Sequence, residues 1–510
     1  MEDEWQGNLL TEKMFSVRTC GVNRKETLAG VLFRLMNRED LEFLRVRPHQ
    51  EEAWFAFLVQ LGALCEDLGI NPLASVKDFQ EALFALADYF EPSWCLLTSP
   101  AYPAFMQPLC EKGWGNDAWT TPDDIDVLIT SRAHDVKPRL MVHPELEDWV
   151  YALVSVQTTW GYGGAGNYGC LRNRGPYSAR MFARIVPTSQ STSDSFRREV
   201  YLWQKQRDHI RSLGLKGNAS LLWTIPWSGL EEEAIDVKDL NPFFIEVCRL
   251  YKLVKGEDGR IVCLRRSAKA TRIKRTISDV GDIWAPILVE GSERLPCALS
   301  EAPGLRKMVQ ILFEADASAS LIVQDEDGPC PTLQIRGVSR DPSRQGMTVG
   351  YVNVEIPLPY TSDDERVRMG SRVTTWLTYV NEAQKFFRSL TKSYAKAEFG
   401  AGNDSELKMT SGWMVRLDQR IMDCFWSTLR ATKNMEDEDA LRQWQGMLAS
   451  LLKEATRELC ETAPVSTSRH YQSVAFALNL VGGFIRNQLP LVEQEESFAT
   501  YEAMMMEETS

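Results

Sequence analysis

The chain has 510 residues and a mass of 58.0 kDa, which at roughly 100 to 200 residues per domain allows two to four domains. A hydrophobic fraction of 44% and a charged fraction of 25% exclude disordered, collagen-like and coiled-coil classes. The 57 Lys and Arg against 70 Asp and Glu give a net charge of −13, the opposite of the balance of a free-standing nucleic-acid-binding protein. Composition alone therefore disfavours nucleic acid as a partner.

The cysteines and the start of the chain indicate a cytoplasmic protein. Eleven cysteines, an odd number, are scattered from Cys20 to Cys460 without a Cys-x-x-Cys pair, which favours reduced thiols and predicts no structural zinc. The acidic start lacks a secretory signal, and the apolar stretch Val474–Ile485 is shorter than the ~18 residues of a membrane span. We therefore predict a soluble protein without a membrane partner.

No catalytic motif is recognisable in the sequence. The five histidines follow no metalloprotease pattern, and Gly-x-Ser-x-Gly and Walker motifs are absent. Paired carboxylates such as Asp123 and Asp124 stand at turn-like positions, where solvation accounts for them. We predict a non-enzymatic protein that uses no cofactor and no metal.

The first hundred residues are predicted to be helical. Over 51–69, apolar residues recur at steps of three and four, which predicts an amphipathic helix with one buried face. Beyond Gly161 the periodicity is lost, and β-rich runs at Arg260–Leu264 and Ser320–Gln324 predict strands in a mixed α and β region. The polar run Thr188–Ser195 predicts a mobile surface loop.

A β-hairpin is predicted next along the chain. Thr332–Val338 and Met347–Ile356 are rich in β-branched residues, and Ser339–Gly346 between them contains proline and glycine, which favour turns. The polar tip is predicted to project, with Arg340, Arg344 and Gln345 able to reach a groove or a base step. An ordinary exposed turn is the alternative interpretation.

Four helices are predicted to follow, each with one apolar stripe: Val373–Lys392, Trp413–Leu429, Leu441–Cys460 and Ser473–Asn487. The interruptions between them are short enough for antiparallel neighbours. The predicted class is therefore α+β: a large mixed α/β N-terminal domain (1–360) with a projecting β-hairpin, a C-terminal four-helix bundle (361–492) and an acidic tail (493–510).

Residues 161–166 read GYGGAG, which matches the dinucleotide fingerprint Gly-x-Gly-x-x-Gly. The context argues against that function, because no strand clearly precedes the motif and Gly169, Gly175 and Pro176 interrupt the segment after it. A loop with so little side-chain bulk suits close approach to a phosphate or a narrow minor groove, with Arg172, Arg174 and Arg180 just beyond. A flexible connector is the structural alternative.

The segment Arg260–Arg275 carries seven basic residues and no acidic residue in sixteen. In an acidic chain this is a local reversal of sign, and locally focused positive charge attracts phosphate whatever the total charge. A solvated surface face is the alternative.

Several segments together resemble the large subunit of the type I-E CRISPR Cascade complex, the CasA family. Asn8–Glu12 with Phe15–Val17 resembles the family's opening, and Pro103–Gln107 resembles its Pro-Phe-Met-Gln segment. The glycine loop with its sequel (GYGGAGNYGCLRNRGP), the segment Phe244–Cys248, the hairpin and the closing bundle follow in the family's order. The resemblance thus spans nearly the whole chain.

The resemblance implies a non-catalytic subunit that reads the protospacer-adjacent motif (PAM) of duplex DNA through the minor groove and starts strand separation. It places a PAM-reading loop at Gly161, Gly163, Gly164, Ala165, Gly166 and Asn167, with alanine at 165 where a further glycine is often found. A basic finger falls on Arg275, with Lys274 one residue away. The wedge falls on Gln345, flanked by Ser343 and Arg344.

The resemblance also implies the partners. A loop near 131–137, with Arg132, His134 and Lys137, is expected to contact the 5′ handle of the guide RNA and other Cascade subunits. The bundle is expected to contact the displaced DNA strand, and a helicase-nuclease, recruited or fused to another subunit, would complete the reaction. A nucleotide-binding enzyme built on the glycine loop and a purely architectural helical scaffold remain the alternatives. For an acidic chain working inside a ribonucleoprotein, we expect weak DNA binding alone and specific binding in the assembly.

Overall fold

The computed structural model describes residues 5–69, 74–110, 113–115, 118–126, 128, 141–314, 319–341, 343, 347–399, 404–462 and 470–492. The chain divides into two compact units, one of Met1–Ala302 with Glu314–Glu355 and the other of Pro303–Phe313 with Ile356–Ser510. Among the described helices, none combines the length and the apolar character needed to cross a bilayer. The predicted tail 493–510 lies outside the described residues.

The described helices, in chain order, are α1 (Leu28–Met36), α2 (Pro48–Asp67), α3 (Val76–Leu86), α4 (Leu146–Thr159), α5 (Thr192–Lys205), α6 (Arg207–Leu213), α7 (Leu305–Val309), α8 (Asp363–Phe399), α9 (Asp404–Ala431), α10 (Asp437–Thr462) and α11 (His470–Gln488). The described strands are β1 (Gln6–Asn8), β2 (Phe15–Thr19), β3 (Val22–Glu26), β4 (Glu42–Phe43), β5 (Cys95–Leu97), β6 (Ala118–Trp119), β7 (Phe182–Val186), β8 (Ala219–Leu221), β9 (Ile235–Asp236), β10 (Leu240–Ile245), β11 (Leu250–Lys255), β12 (Ile261–Arg266), β13 (Ile273–Lys274), β14 (Ile287–Glu290), β15 (Glu293–Pro296), β16 (Thr332–Asp341) and β17 (Met347–Pro357). The predicted α+β class is confirmed.

Helix α2 is the centre of the first unit. Pro48 occupies its first turn, where a missing amide N–H costs nothing, and the helix then packs against α3, α4, α5 and β10. The predicted single buried face is wrong, because polar positions such as Glu52 and Gln60 are buried as well. Gln60 satisfies its amide by donating from Nε2 to the carbonyl of Phe244 at 2.6 Å.

Two local predictions in the first unit are corrected. Thr188–Ser195 is not a free loop, since α5 begins at Thr192 and Ser191 caps it by accepting the Asp194 amide at 3.0 Å. Ser320–Gln324 is not a strand but overlaps a 3₁₀ turn, Ala319–Leu321, in which the buried Ser320 hydroxyl donates to the Ala183 carbonyl at 2.6 Å. The predicted strand at Arg260–Leu264 is confirmed as β12, paired antiparallel with β11.

The predicted hairpin is confirmed, with longer strands than expected. Strands β16 and β17 lie side by side, and β16 also pairs antiparallel with β7, Thr332 opposite Val186 and Arg336 opposite Phe182. Because β7 begins at Phe182, it joins the hairpin to the chain segment that carries the glycine loop. This three-stranded sheet positions the candidate site.

The second unit contains the four predicted helices, and each prediction is confirmed as α8, α9, α10 and α11 with longer bounds. An aromatic cluster lies in the core, where the Trp376 and Trp444 rings stack at 5.0 Å and Phe425 meets both edge-on. Arg372 donates to the Thr432 and Met435 carbonyls where α9 ends, and to Asp437 where α10 begins. Helices with one apolar stripe thus bury it against one another.

Candidate nucleic-acid interface

The glycine loop, residues 161–167, lies between the end of α4 and the segment leading to β7. It closes on itself through two backbone hydrogen bonds, from the Gly163 amide to the Asn167 carbonyl at 2.8 Å and from the Asn167 amide to the Gly164 carbonyl at 3.0 Å. Gly163 and Ala165 are exposed and Gly164 is half-buried. The loop is therefore a tight turn with its outer edge at the surface.

Two of the glycines are required for different reasons. Gly164 has a φ of +108°, a conformation that L side chains rarely adopt, and an added Cβ would meet nothing within 4 Å. At Gly161 a Cβ would collide with the Arg340 guanidinium and the Ser178 carbonyl. Gly161 thus serves the packing of the loop, whereas Gly164 leaves its outer edge open to an incoming surface.

Two buried arginines hold the inner edge of the loop. Arg249 donates from Nη2 to the Gly161 carbonyl at 2.8 Å and to the Asn167 carbonyl at 3.4 Å. Arg340 donates to the Tyr162 carbonyl from Nη2 and to the Ser178 carbonyl from Nη1 at 3.5 Å. Both guanidinium groups lie over the Trp160 ring, at 5.3 and 5.7 Å from its centroid. Burial, and then the charge of Arg249, lower the pKa of Arg340 to about 10, so it stays a cation at neutral pH.

Arg340 was predicted to lie at the exposed hairpin tip, and that placement is wrong. Its exposed fraction is only 5%, because strand β16 continues to Asp341 and carries Arg340 into the sheet. Its amide also donates to the Leu299 carbonyl at 3.0 Å. The residue belongs to the base of the hairpin and contacts the glycine loop instead of solvent.

The secondary structure around the loop does not suit a dinucleotide. The fingerprint requires a strand that leads into the glycines and a helix that starts on them. Here α4 leads into the loop, and the next helix, α5, starts only at Thr192. The nucleotide alternative therefore lacks its structural context.

The arginines that come after the loop do not form an exposed basic surface. Arg180 makes a two-point ion pair with Asp282, at 2.6 and 2.9 Å, and its side chain is fully buried. Arg172 lies 3.8 Å from Glu246 and 3.8 Å from the Phe244 ring centroid, and burial lowers its pKa to about 10. Burial also raises the pKa of Glu246. Both arginines fix the segment behind the loop.

The basic segment 260–275 is divided between structural and exposed residues. Arg272 is buried and donates to three carbonyls, those of Leu222, Ile225 and Pro226. Burial lowers its pKa to about 10. Among the described residues, the ammonium groups of Lys269 and Lys274 have no ion-pair or hydrogen-bond partner, and both side chains are exposed. The positive charge available at the surface is therefore smaller than seven residues suggest.

The two candidate finger residues differ in their contacts. Both are exposed, but Arg275 also donates from Nη2 to the carbonyls of Cys170, Leu171 and Asn173. Lys274 lies in β13, opposite Asp236 of β9, with its side chain in solvent. Arg275 thus binds the protein's own backbone, and Lys274 is the freer cation.

The structure brings the glycine loop and the basic segment together. The Ala268 amide donates to the Gly166 carbonyl at 2.9 Å, and the Tyr168 hydroxyl donates to the Lys269 carbonyl at 3.0 Å. Behind them is a cavity of about 30 Å³, lined among others by Cys170, Glu246 and Arg275. A space of that size holds a water molecule or two.

Part of the predicted site lies outside the described residues, namely Arg344 and Gln345 of the wedge and Arg132, His134 and Lys137 of the RNA and subunit loop. Ser343 is exposed, and its hydroxyl donates to Asp341 Oδ1 at 2.6 Å. In the described part of the chain, no three His, Cys, Asp or Glu side chains are grouped to hold a metal ion.

Sequence reasoning missed the role of Arg249 and of Trp160. Arg249 directly follows the Phe244–Cys248 segment, and nothing in its neighbours signals that its guanidinium reaches a loop 88 residues earlier. Trp160 immediately precedes Gly161. An aromatic residue beside a run of glycines is the one local sign in the sequence that the inner edge of the loop is packed.

Comparisons with known proteins bear on this arrangement. No family sequence model and no curated protein matches the chain. Among solved structures, CasA (Cse1) of Thermus thermophilus is similar at 15% identity with a TM-score of 0.63, covering 94% of this chain and 99% of that one.

Two further structures are similar over comparable lengths. Cse1 of Thermobifida fusca matches at 14% identity and a TM-score of 0.65, covering 96% of this chain and 99% of its own. A chain of a CRISPR RNA-guided surveillance complex matches at 14% identity and a TM-score of 0.58, covering 93% and 99%. Over nearly its whole length, therefore, this chain has the fold of CasA (Cse1).

Proposed function

We propose that this protein is the large subunit of a type I-E CRISPR Cascade effector. In this role it recognises the PAM through the DNA minor groove and opens the duplex to start R-loop formation. It also helps to recruit the nuclease and has no catalytic activity of its own. The observation that carries the proposal is the outer edge of the glycine loop, which lies open on a CasA fold and is tied to the base of the hairpin by Arg340.

The glycine loop suits a minor groove for steric reasons. The minor groove is about 6 Å wide, so a backbone without bulky side chains can approach its base edges closely. Gly163 and Gly164 present such a backbone, and the carbonyls of Gly161, Tyr162 and Asn167 are already bound by the protein. Because the minor-groove code is degenerate, recognition through this edge tolerates several PAM sequences, and the guide RNA supplies the specificity.

The charge distribution supports the same role. Arg249 and Arg340 behind the loop are buried and bonded to backbone carbonyls, so their charge raises the local potential without requiring exposed arginines. Lys274 is the candidate finger in direct contact with DNA, and Arg275 next to it binds the segment that follows the glycine loop. The net charge of −13 then limits binding of unassembled protein to arbitrary DNA.

Strand opening is assigned to the hairpin tip. Ser343, Arg344 and Gln345 would occupy the space that a base pair leaves, which offsets a few kcal/mol of lost stacking. The target strand then pairs with guide RNA while the displaced strand runs toward the bundle. Arg132, His134 and Lys137 are proposed to contact the 5′ handle and neighbouring subunits.

The test uses the complex assembled with the other Cascade subunits and guide RNA. Gly164→Asp places a carboxylate on the open edge, and we expect it to abolish PAM-dependent duplex binding, because the carboxylate would face phosphate and base edges. Gly214→Asp is the matched control, since Gly214 has a φ of +124° and also lacks any atom within 4 Å of an added Cβ. Affinity is measured on duplexes with the PAM intact or scrambled.

Two outcomes would contradict the proposal. Wild-type affinity for Gly164→Asp would remove the glycine loop from the interface. Equal losses for both glycine variants would mean that the defect is backbone strain and not contact with DNA. Gln345→Ala, followed with 2-aminopurine at the first protospacer positions, tests the wedge in the same complex, and unchanged opening would exclude it.

A further inference from the structure

Arg340 connects two parts of the first unit that the sequence separates widely. Its guanidinium donates to the carbonyls of Tyr162, inside the glycine loop, and Ser178, on the way to β7. Its own backbone belongs to β16, the first strand of the hairpin. One buried side chain therefore spans the glycine loop and the base of the hairpin.

The rest of the contact is built around this side chain. A Cβ on Gly161 would overlap the Arg340 guanidinium, so the absence of a side chain at 161 makes room for it. The Trp160 ring lies against both Arg340 and Arg249. Gly337, three residues before Arg340, has a φ of +152°, and a Cβ there would lie 2.9 Å from the Arg180 carbonyl. The base of the hairpin thus packs closely against the glycine loop and the segment that follows it.

The chemistry requires an arginine. The rigid fork of a guanidinium can bind two carbonyls from different segments at once, whereas a lysine ammonium is a point donor on a flexible stem. Bonds from a charged donor are among the stronger ones inside proteins, and burial protects them from competing water. The contact therefore fixes the direction in which the hairpin leaves the loop.

We propose that Arg340 is a positioning residue that fixes β16, the first strand of the hairpin, against the glycine loop, so that the wedge meets the base pair next to a bound PAM. The inference rests on the proposed function and extends it, because it separates recognition by the loop from opening by the tip. Arg340 itself touches no DNA. A variant without it loses the bond that ties β16 to Tyr162 of the loop, while Arg249 still binds the Gly161 and Asn167 carbonyls.

The experiment compares binding and opening in the assembled complex. We expect Arg340→Ala to slow opening of the first protospacer base pairs, read by 2-aminopurine fluorescence, by about tenfold or more. Affinity for a PAM duplex that cannot pair with the guide should fall by up to about threefold through the lost bond to Tyr162, a smaller factor than for opening, because Arg249 still binds the Gly161 and Asn167 carbonyls. A target with those base pairs already mismatched needs no wedge, so it should restore R-loop formation.

Two further variants keep the test decisive. Arg340→Lys retains the charge and should be intermediate, since one carbonyl bond can survive. Arg336→Ala removes another arginine of β16, whose guanidinium binds Glu51, Glu52 and Glu355 and not the glycine loop. If Arg336→Ala gives the same defect with the same rescue, general weakening of the hairpin explains the result and the proposal is overturned.

The remaining outcomes are distinguishable from failure of the proposed function. Wild-type opening by Arg340→Ala in a complex that recognises the PAM normally would overturn only the positioning role. A wild-type complex without any preference for the PAM duplex would contradict the proposed function, and the positioning role would fall with it.

Discussion

The two units of the molecule bury very different side chains. In the described part of the second unit, Arg372 is the only buried charged residue, and the core is aromatic and aliphatic. The first unit buries many charged residues, among them Arg180, Arg249 and Arg340, which bind a carboxylate or backbone carbonyls, and Glu199, which lies near the Arg184 guanidinium. Apolar packing holds the bundle, whereas the glycine loop depends on buried charges for its shape.

The difference matters because the two kinds of contact respond to different changes. Apolar burial is insensitive to pH and nearly proportional to area. A buried charge costs much free energy when its partner is removed, and its stability contribution depends on its protonation. The stabilities of the two units should therefore respond differently to mutations and to changes of pH.

The largest effect on stability is expected for Trp444→Ala in the bundle. Trp444 is fully buried, stacked on Trp376 and in edge contact with Phe425, so its removal leaves a cavity in the apolar core. We expect a loss of about 3 to 5 kcal/mol in the free energy of unfolding, followed by the helical circular-dichroism signal in urea. Val415→Ala on α9, at a residue that is 67% exposed, is the control and should cost less than about 0.5 kcal/mol. A Trp444→Ala variant as stable as this control would contradict the apolar core.

The same difference between apolar and charged cores explains why the helices of the bundle could be predicted from the sequence. Its helices were foreseeable because an apolar stripe at helical spacing has one way to be buried, and Trp376, Phe425 and Trp444 belong to such stripes. In the first unit, Ser191 looks like loop and is a helix cap. Ser320 lies in a run that looks like strand and is buried in a 3₁₀ turn.

The candidate site shows the limit of sequence reasoning more sharply. The loop, the basic segment and the hairpin could each be found as local patterns. Which basic residues face solvent could not be predicted, because Arg249 and Arg340 are buried on carbonyls of segments far away in sequence, whereas Arg275 binds such carbonyls and remains exposed. Local composition carries no information about such long-range partners.

The next largest effect is a pH dependence confined to the first unit. Glu199 is fully buried, near Arg184 at 3.8 Å, and accepts a hydrogen bond from Trp284 Nε1. Burial raises its pKa to about 7, above the ordinary value of 4.5. The folded state therefore binds more protons than the unfolded state between these values, so the stabilising contribution is complete below pH 4.5 and is lost as pH rises toward 7.

Glu199→Gln removes this titration. The stability of the wild type relative to Glu199→Gln should fall by up to about 3 kcal/mol between these two pH values, since one pKa unit corresponds to about 1.4 kcal/mol. Denaturation of both proteins at a series of pH values measures the difference. A difference that does not change with pH would show that Glu199 stays ionised in the fold and that Arg184 dominates over burial.

A smaller effect is expected from Gly161→Ala in the loop. The added methyl group would overlap the Arg340 guanidinium and the Ser178 carbonyl, so one of the carbonyl bonds must lengthen. We expect a cost of about 1 to 3 kcal/mol and faster hydrogen exchange at the Gly163 and Asn167 amides, which close the loop. Gly175→Ala is the control, because a Cβ at Gly175 meets nothing within 4 Å. Equal exchange rates in the two variants would mean that the Gly161 contact does not shape the loop.

The smallest expected effect is on DNA affinity, and it distinguishes the roles of the neighbouring residues Lys274 and Arg275. In the assembled complex, Lys274→Ala should weaken duplex binding several-fold and lower the slope of log affinity against log salt by about 1, as for one lost phosphate contact. Arg275→Ala should leave that slope unchanged, because its guanidinium binds the Cys170, Leu171 and Asn173 carbonyls, and should instead accelerate exchange in the loop.

Lys77→Ala is the matched control for this pair, an exposed lysine on α3 without an ion-pair partner among the described residues. If Arg275→Ala lowers the salt slope and Lys274→Ala does not, the exposed guanidinium of Arg275 is the phosphate contact and Lys274 is not. The bonds of Arg275 to the Cys170, Leu171 and Asn173 carbonyls would then orient a DNA-binding side chain, and Arg275 would belong with the exposed residues of the segment.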